Sequence, residues 1–196
     1  MSNLNSGYII IIICEGKSEV AYIQELNKYF REKNISINLV SKQADNGSYA
    51  AVVKKYKEFK KNNKHGFRMW IWVDRDIYKR NERKNMDKYN KKPDGVPNFC
   101  FNIFNFEDFF ILHYPKDKVS NYRKLCENKD HFKNPLHSED YMPLIKKVIE
   151  GYNKGSLPNG FEISAKTLNN LFTNNKDLQK ELQNDFANEL YNIINN

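Results

Sequence analysis

The sequence predicts an α/β protein, in which a parallel sheet of about four strands is flanked by helices and followed by a C-terminal helical extension. Strand-length runs rich in β-branched and aromatic residues recur at 8–14, 69–73 and 98–104, and amphipathic helix patterns separate them. The first two runs lack polar alternation, which is typical of parallel strands covered on both faces. Because the order begins β-α-β-α-β, a doubly wound sheet with right-handed crossovers is expected.

The first strand, 8–14, runs directly into Glu15 and Gly16. Gly16 permits a tight turn, and Ser18 is the expected N-cap of a helix whose apolar residues follow helical spacing. A second strand, half-buried or at an edge, is predicted near 35–39, where apolar and polar residues alternate. A turn signal at 45–48 leads into a second helix with a lysine-rich exposed side.

The second half of the chain reads mainly as helix. After a fourth strand at 98–104, aromatic residues and His113 follow helical spacing, and this histidine is expected to be a hydrogen-bonded core residue. Ser138 can start a further helix, and Ser164 can cap another. Apolar residues spaced from 178 to 194 predict one long amphipathic helix, an extension without obvious chemistry.

Composition and charge narrow the class of protein. The 196 residues can bury a sizeable core, 40% of them are hydrophobic, and a net charge of +8 favours an anionic partner such as nucleic acid. Three scattered cysteines indicate neither a disulfide framework nor a zinc site. The apolar run at 9–14 is too short to span a bilayer, so a cytoplasmic protein without a membrane partner is expected.

Acidic side chains follow the strands of the predicted sheet. Asp74 and Asp76 come directly after the strand 69–73 and point to the same side, Glu15 follows the first strand, and Glu107 follows the fourth. Because parallel strands end at one edge, these acids are expected to line one crevice, where carboxylates suit Mg²⁺. The alternative to a metal site at the two aspartates is a turn of the chain. Glu19 lies at the start of the first predicted helix, near Glu15, and for this residue compensation of the helix dipole is the favoured role.

A basic segment follows Asp76 and extends to residue 92. Beside a metal-binding edge, such a segment could hold the phosphates of a nucleic acid, since phosphate contacts supply most non-specific affinity. A solvated loop explains any single lysine equally well.

Three motifs follow the predicted strands: Ile13–Glu19, Trp72–Asp76 and Phe106–Tyr114. Together they resemble the Toprim domain of topoisomerases, primases and overcoming-lysogenisation-defect (OLD) nucleases. In that domain a glutamate follows the first strand and an Asp-x-Asp follows a later one. The chain is most similar to the RloB-type and AbiL-type Toprim proteins of bacterial phage-defence loci, over about residues 8 to 115. Residues 102–106 depart from the Ser-Asn-Pro-Cys-Phe run expected before the glutamate.

The resemblance implies a Toprim-like catalytic domain at 1–118, a helical extension at 119–196, and phosphodiester hydrolysis that depends on Mg²⁺ or Mn²⁺. The implied catalytic residues are Glu15, Asp74 and Asp76. The implied metal ligands are Glu15, Glu19, Asp74, Asp76 and Glu107. The implied nucleic-acid contacts are Lys17, Arg75, Arg80, Arg83 and Lys84.

The expected function is therefore a nuclease that acts as the effector of an anti-phage system, with DNA or RNA, transfer RNA included, as its target. The alternative is a catalytically silent Toprim-like subunit that binds nucleic acid or docks on a separate ATPase, and a homo-oligomer is compatible with either. A haloacid-dehalogenase-type phosphatase also uses Asp-x-Asp on a parallel strand. It is disfavoured because Tyr78 stands where that pattern has threonine or valine.

Overall fold

A computed structural model describes residues 8–45, 48–74, 98–102, 104–131, 136–179 and 182–195. The chain forms two compact units. The sheet unit comprises Met1–Val73 and Ile77–Cys100, and the helical unit comprises Asp74–Asp76 and Phe101–Asn196. The division into domains at residue 118 stays a prediction, because compact units defined by contacts need not coincide with evolutionary domains.

The sheet has four parallel strands in the order β2-β1-β3-β4, which confirms the predicted α/β class. The strands are β1 (Tyr8–Cys14), β2 (Ile37–Gln43), β3 (Arg68–Val73) and β4 (Asn98–Phe101). The second strand lies slightly later in the chain than the alternation at 35–39 predicts.

The central strand β1 pairs with β2 on one side and β3 on the other. Tyr8 lies opposite Ile37, and Cys14 lies opposite both Gln43 and Trp72. Five successive residues, Ile10–Cys14, are buried. Successive side chains in a strand leave on opposite faces, so unbroken burial means that both faces of β1 are covered.

Two helices in the sheet unit pack near β1. Helix α1 (Lys17–Glu32) contacts β1 and β2, and α2 (Tyr49–Asn62) contacts β1. The N-cap of α1 is Gly16, so the expectation of a cap at Ser18 is wrong. The helix begins earlier because the backbone N–H of Gly16 already finds an acceptor in the Glu19 carboxylate, at 3.2 Å.

The helical unit confirms the predicted C-terminal extension and adds one helix that the sequence did not indicate, α4. The helices are α3 (Phe106–Phe110), followed by a 3₁₀ turn at Ile111–His113, then α4 (Lys116–Glu127), α5 (Ser138–Val148), α6 (Ala165–Lys176) and α7 (Asp185–Asn195).

The single long helix predicted from 178 to 194 is wrong. Helix α6 ends at Lys176 and α7 begins at Asp185, so Leu178 lies outside both helices. A new helix starts at Asp185 because the side-chain oxygen of Asn184 accepts the N–H of Ala187, at 2.9 Å, as an N-cap does.

All three cysteines are buried free thiols. Among the described residues, no helix combines the length and the apolar character that crossing a membrane requires.

Candidate active site

The strand order creates a topological switch point between β1 and β3. The chain leaves β1 for β2 on one side of the sheet, whereas it continues from β3 to β4 on the other side. In open α/β sheets, ligands bind outside the carboxyl ends of the strands where this reversal occurs. The carboxyl ends of β1 and β3 are therefore where the fold favours a site.

Glu15 lies at this edge of the sheet unit. It directly follows β1, and its backbone N–H donates to the carbonyl of Trp72 at 3.3 Å. Trp72 is the second-last residue of β3, so the first acid stands beside the end of the strand that leads to Asp74. The Glu15 side chain is half-buried.

Glu19 and Lys17 lie in the first turn of α1. Glu19 is only 3% exposed, and its Oε2 accepts the N–H of Gly16 at 3.2 Å. This geometry supports the expected role of Glu19 at the positive end of the helix. Burial raises the pKa of the Cys14 thiol well above its usual value, and the negative charge of Glu19 adds to this shift. Lys17 is exposed.

Asp74 is the first residue after β3 and is half-buried. Its Oδ1 accepts a hydrogen bond of 2.6 Å from the Nδ2 of Asn102, a residue of the same helical unit. Five other residues of the implied site lie outside the described residues: Arg75, Asp76, Arg80, Arg83 and Lys84.

Asn102 belongs to a series of buried asparagine side chains. Its Oδ1 accepts from the Nδ2 of Asn184 at 2.9 Å, and both residues are fully buried. The backbone N–H of Asn184 donates to the Oδ1 of Asn175 at 2.7 Å. We call Asn102, Asn184 and Asn175 the asparagine relay. The sequence analysis did not single out these residues, because an isolated asparagine carries no pattern that names its partner.

Glu107 lies inside the helical unit. It is 2% exposed, and its Oε1 accepts from the hydroxyl of Tyr152 at 2.8 Å. Burial raises the pKa of this carboxyl, while the Tyr152 hydrogen bond and the charge of Lys154 oppose the shift. Glu107 thus has a partner within the core, and its role as a metal ligand stays a prediction.

A second group of potential metal ligands also lies in the helical unit. Carboxylate, thiol and imidazole ligand atoms of Asp108, Cys126 and His131 lie within 4.8 Å of one another, and all three residues are buried. The two Asp108 oxygens accept from the hydroxyl of Tyr122 at 3.0 Å and from the Nε2 of His131 at 3.1 Å. Hydrogen bonds within the protein therefore already engage both oxygens.

The tautomer of His131 argues against a metal at this position. The backbone N–H of Leu136 donates to its Nδ1 at 2.9 Å, so the ring proton is assigned to Nε2, where it donates to Asp108. A ligating histidine normally shows the reverse arrangement, with one nitrogen on the metal and the other donating to an acceptor. We therefore interpret the cluster as a structural hydrogen-bond network that joins α3 and α4.

Comparison with known protein families shows which family the chain belongs to. The family described as RloB-like protein matches residues 10–194, which is nearly the whole sequence. The chain belongs to the RloB-like family. The match runs through both compact units. No curated protein and no solved structure matched the chain.

Proposed function

We propose that this RloB-like protein is a Mg²⁺-dependent nuclease with a Toprim-like sheet, and that it acts as the effector of a bacterial anti-phage system. The hydrogen bond from the Glu15 N–H to the Trp72 carbonyl carries the proposal. It sets the acid after β1 next to the end of β3, from which the chain continues directly to Asp74, and this is the switch point of the sheet.

The available donors suit a hard cation. Glu15 and Asp74 offer carboxylate oxygens from half-buried positions, and Asp76 adds a third carboxylate two residues after Asp74. Oxygen donors of this kind favour Mg²⁺ or Mn²⁺ over zinc or copper. When bound, the ion would neutralise charge on the phosphodiester and lower the pKa of an attacking water.

The residues of the chain have three proposed roles: holding the ion, accepting a proton and contacting the substrate phosphates. Asp74 and Asp76 would hold the principal ion, and Glu15 would either share it or take the proton of the attacking water. Lys17, Arg75, Arg80, Arg83 and Lys84 supply contacts to the substrate phosphates. Glu19 and Glu107 stay predicted ligands of a second ion.

Two isosteric substitutions test the nuclease. Glu15→Gln and Asp74→Asn each remove one carboxylate charge without changing side-chain size, so we expect both variants to lose Mg²⁺-dependent cleavage while retaining the fold. Cleavage of duplex DNA, single-stranded DNA and transfer RNA would be measured with Mg²⁺ and with Mn²⁺. Glu32→Gln, at an exposed position near the end of α1, is the matched control and should cleave like the wild type.

Cleavage by Glu15→Gln at the wild-type rate would contradict the assignment of that residue. If the wild-type protein alone is inactive but cleaves after addition of an ATPase, the protein is a nuclease subunit that a separate ATPase activates. A protein that binds nucleic acid and is inactive with either metal and with the ATPase would support the silent subunit instead.

A further inference from the structure

Asp74 is connected through hydrogen bonds to the start of the C-terminal helix. Asn102 donates to Asp74 at 2.6 Å and accepts from Asn184 at 2.9 Å, although Asn102 and Asn184 are 82 residues apart in the chain. All members of this connection belong to the helical unit. Asn102 and Asn184 are both fully buried, so water does not compete for the bond between them.

A backbone group determines the direction of the donors. The N–H of Ala187 can only donate, and it donates to the Oδ1 of Asn184 at 2.9 Å. The Nδ2 of Asn184 must therefore face Asn102, whose Oδ1 accepts from it. That leaves the Nδ2 of Asn102 directed at the Asp74 carboxylate. The backbone N–H of Ala187 thus fixes which atom of each amide is oxygen and which is nitrogen in Asn184 and Asn102.

The same helix start also holds the backbone next to Asn102. The Oδ2 of Asp185 accepts the N–H of Phe101 at 3.1 Å. Asn184 and Asp185 therefore fix the side chain of residue 102 and the main chain of residue 101. Asn175 accepts the backbone N–H of Asn184 and donates to the Oδ1 of Asn188 at 2.9 Å.

We propose that Asn102 is a positioning residue for the Asp74 carboxylate, and that the start of α7 sets its orientation through Asn184. The inference rests on the proposed function, because it assigns to the helical extension the task of orienting a metal ligand. An ionised carboxylate can accept about four hydrogen bonds or ligand bonds, so a bond from Asn102 is compatible with an ion on Asp74.

Asn102 presents its amide nitrogen, and not its oxygen, to the Asp74 carboxylate. Its only ligand atom, Oδ1, accepts from Asn184, and its amide nitrogen faces the carboxylate. Side chains that hydrogen-bond to metal ligands orient them, and their loss typically lowers metal affinity or activity about 10–100-fold. In this proposal the relay connects the start of α7 to the Asp74 carboxylate.

The test compares three variants with the wild-type protein. Asn102→Ala removes the donor to Asp74. Asn184→Ser keeps an N-cap oxygen for α7 but is too short to reach Asn102, so the helix start survives while the relay is broken. Asn174→Ala is the matched control, because Asn174 is 6% exposed and donates to the carbonyls of Leu112 and Tyr114, away from Asp74.

Mn²⁺ binding is measured first, by electron paramagnetic resonance of the free ion, and the melting temperature of each variant is recorded. We expect Mn²⁺ affinity to fall about 10–100-fold in Asn102→Ala and by a smaller factor in Asn184→Ser. The Mn²⁺ concentration for half-maximal cleavage should rise in parallel. Asn174→Ala should lower the melting temperature without changing Mn²⁺ affinity.

Wild-type Mn²⁺ affinity in a folded Asn102→Ala protein would overturn the positioning role and leave the nuclease proposal intact. An equal loss of affinity in Asn174→Ala would also overturn it, since general destabilisation would then explain the effect. A wild-type protein that neither binds Mn²⁺ nor cleaves would remove the proposed function, and the positioning role with it.

Discussion

His113 is fully enclosed in the helical unit, where it packs against aromatic rings. Its ring lies edge-on to Phe109 at 5.2 Å and to Phe161 at 5.7 Å. Its Nδ1 lies 3.0 Å from the carbonyl of Phe110, and because a carbonyl can only accept, Nδ1 carries the proton. The expectation of a hydrogen-bonded core histidine is confirmed.

This burial predicts a pH dependence of stability. Burial lowers the pKa of His113 from 6.5 to about 4, and the bond to Phe110 opposes the shift. Between these values the unfolded chain binds a proton that the folded protein does not. The free energy of unfolding should therefore decrease as the pH falls from 6.5 to about 4, by on the order of 3 kcal/mol for this residue.

His113→Asn should flatten that dependence, because the asparagine amide can replace Nδ1 as the donor but does not titrate. Denaturant unfolding at several pH values measures the slope. His65→Asn, at an exposed position, is the control and should retain the wild-type slope. If the slope in His113→Asn equals that of the wild type, another group is responsible.

At the scale of elements, the N-termini of α6 and α1 show which local sequence signals are sufficient to predict where a helix begins. Ser164 caps α6 as predicted: its Oγ accepts the N–H of Thr167 at 3.2 Å, and its own N–H donates to the Thr167 hydroxyl at 2.8 Å. At α1, by contrast, the start depends on where Glu19 reaches back to the backbone. A reciprocal cap is local, so it can be recognised from spacing.

Ser164→Ala should lower the free energy of unfolding by about 1 kcal/mol, because the side-chain oxygen that accepts the N–H of Thr167 is lost. Thermal unfolding monitored by circular dichroism would measure the change. Ser120→Ala, on the exposed side of α4, serves as the control and should leave stability unchanged or slightly increased, since alanine favours a helix interior. An unchanged stability in Ser164→Ala would show that the cap contributes little.

At the scale of the whole molecule, the charge of +8 makes binding to a polyanion sensitive to salt. Basic residues occur on α2 and in the segment after Asp76, and total charge does not distinguish them. The salt dependence of binding does distinguish the two groups of basic residues. Each lysine or arginine that neutralises a phosphate adds about 0.7–0.9 to the magnitude of the slope of log affinity against log salt concentration.

Combined substitution of Arg80, Arg83 and Lys84 by alanine should therefore lower this slope by about 2 if these residues contact phosphates. Fluorescence anisotropy of labelled nucleic acid at several salt concentrations would measure it. The matched control is the combined substitution of Lys54, Lys57 and Lys61 by alanine. These lysines are exposed on α2, and their substitution removes the same charge. Equal effects of the two sets would refute a specific role for the segment after Asp76.

Periodicity and residue type were sufficient for much of the fold. The run Tyr8–Cys14 coincides with β1, and Met69–Val73 lies within β3. Both could be recognised because burial on two faces removes polar residues from the strand itself. Helix α4 was missed because the segment 116–127 is mostly polar, with only three buried side chains.

By itself, the sequence determined the order of the strands along the chain and the acids that follow them, because these are properties of neighbouring residues. Only the tertiary structure decided what holds those acids. Asp74 and Asn102 are 28 residues apart, and Asn102 and Asn184 are 82 apart. A hydrogen bond between buried amides depends on how the helices pack. Packing brings together side chains that are distant in the sequence, so the residues around one amide do not predict its partner.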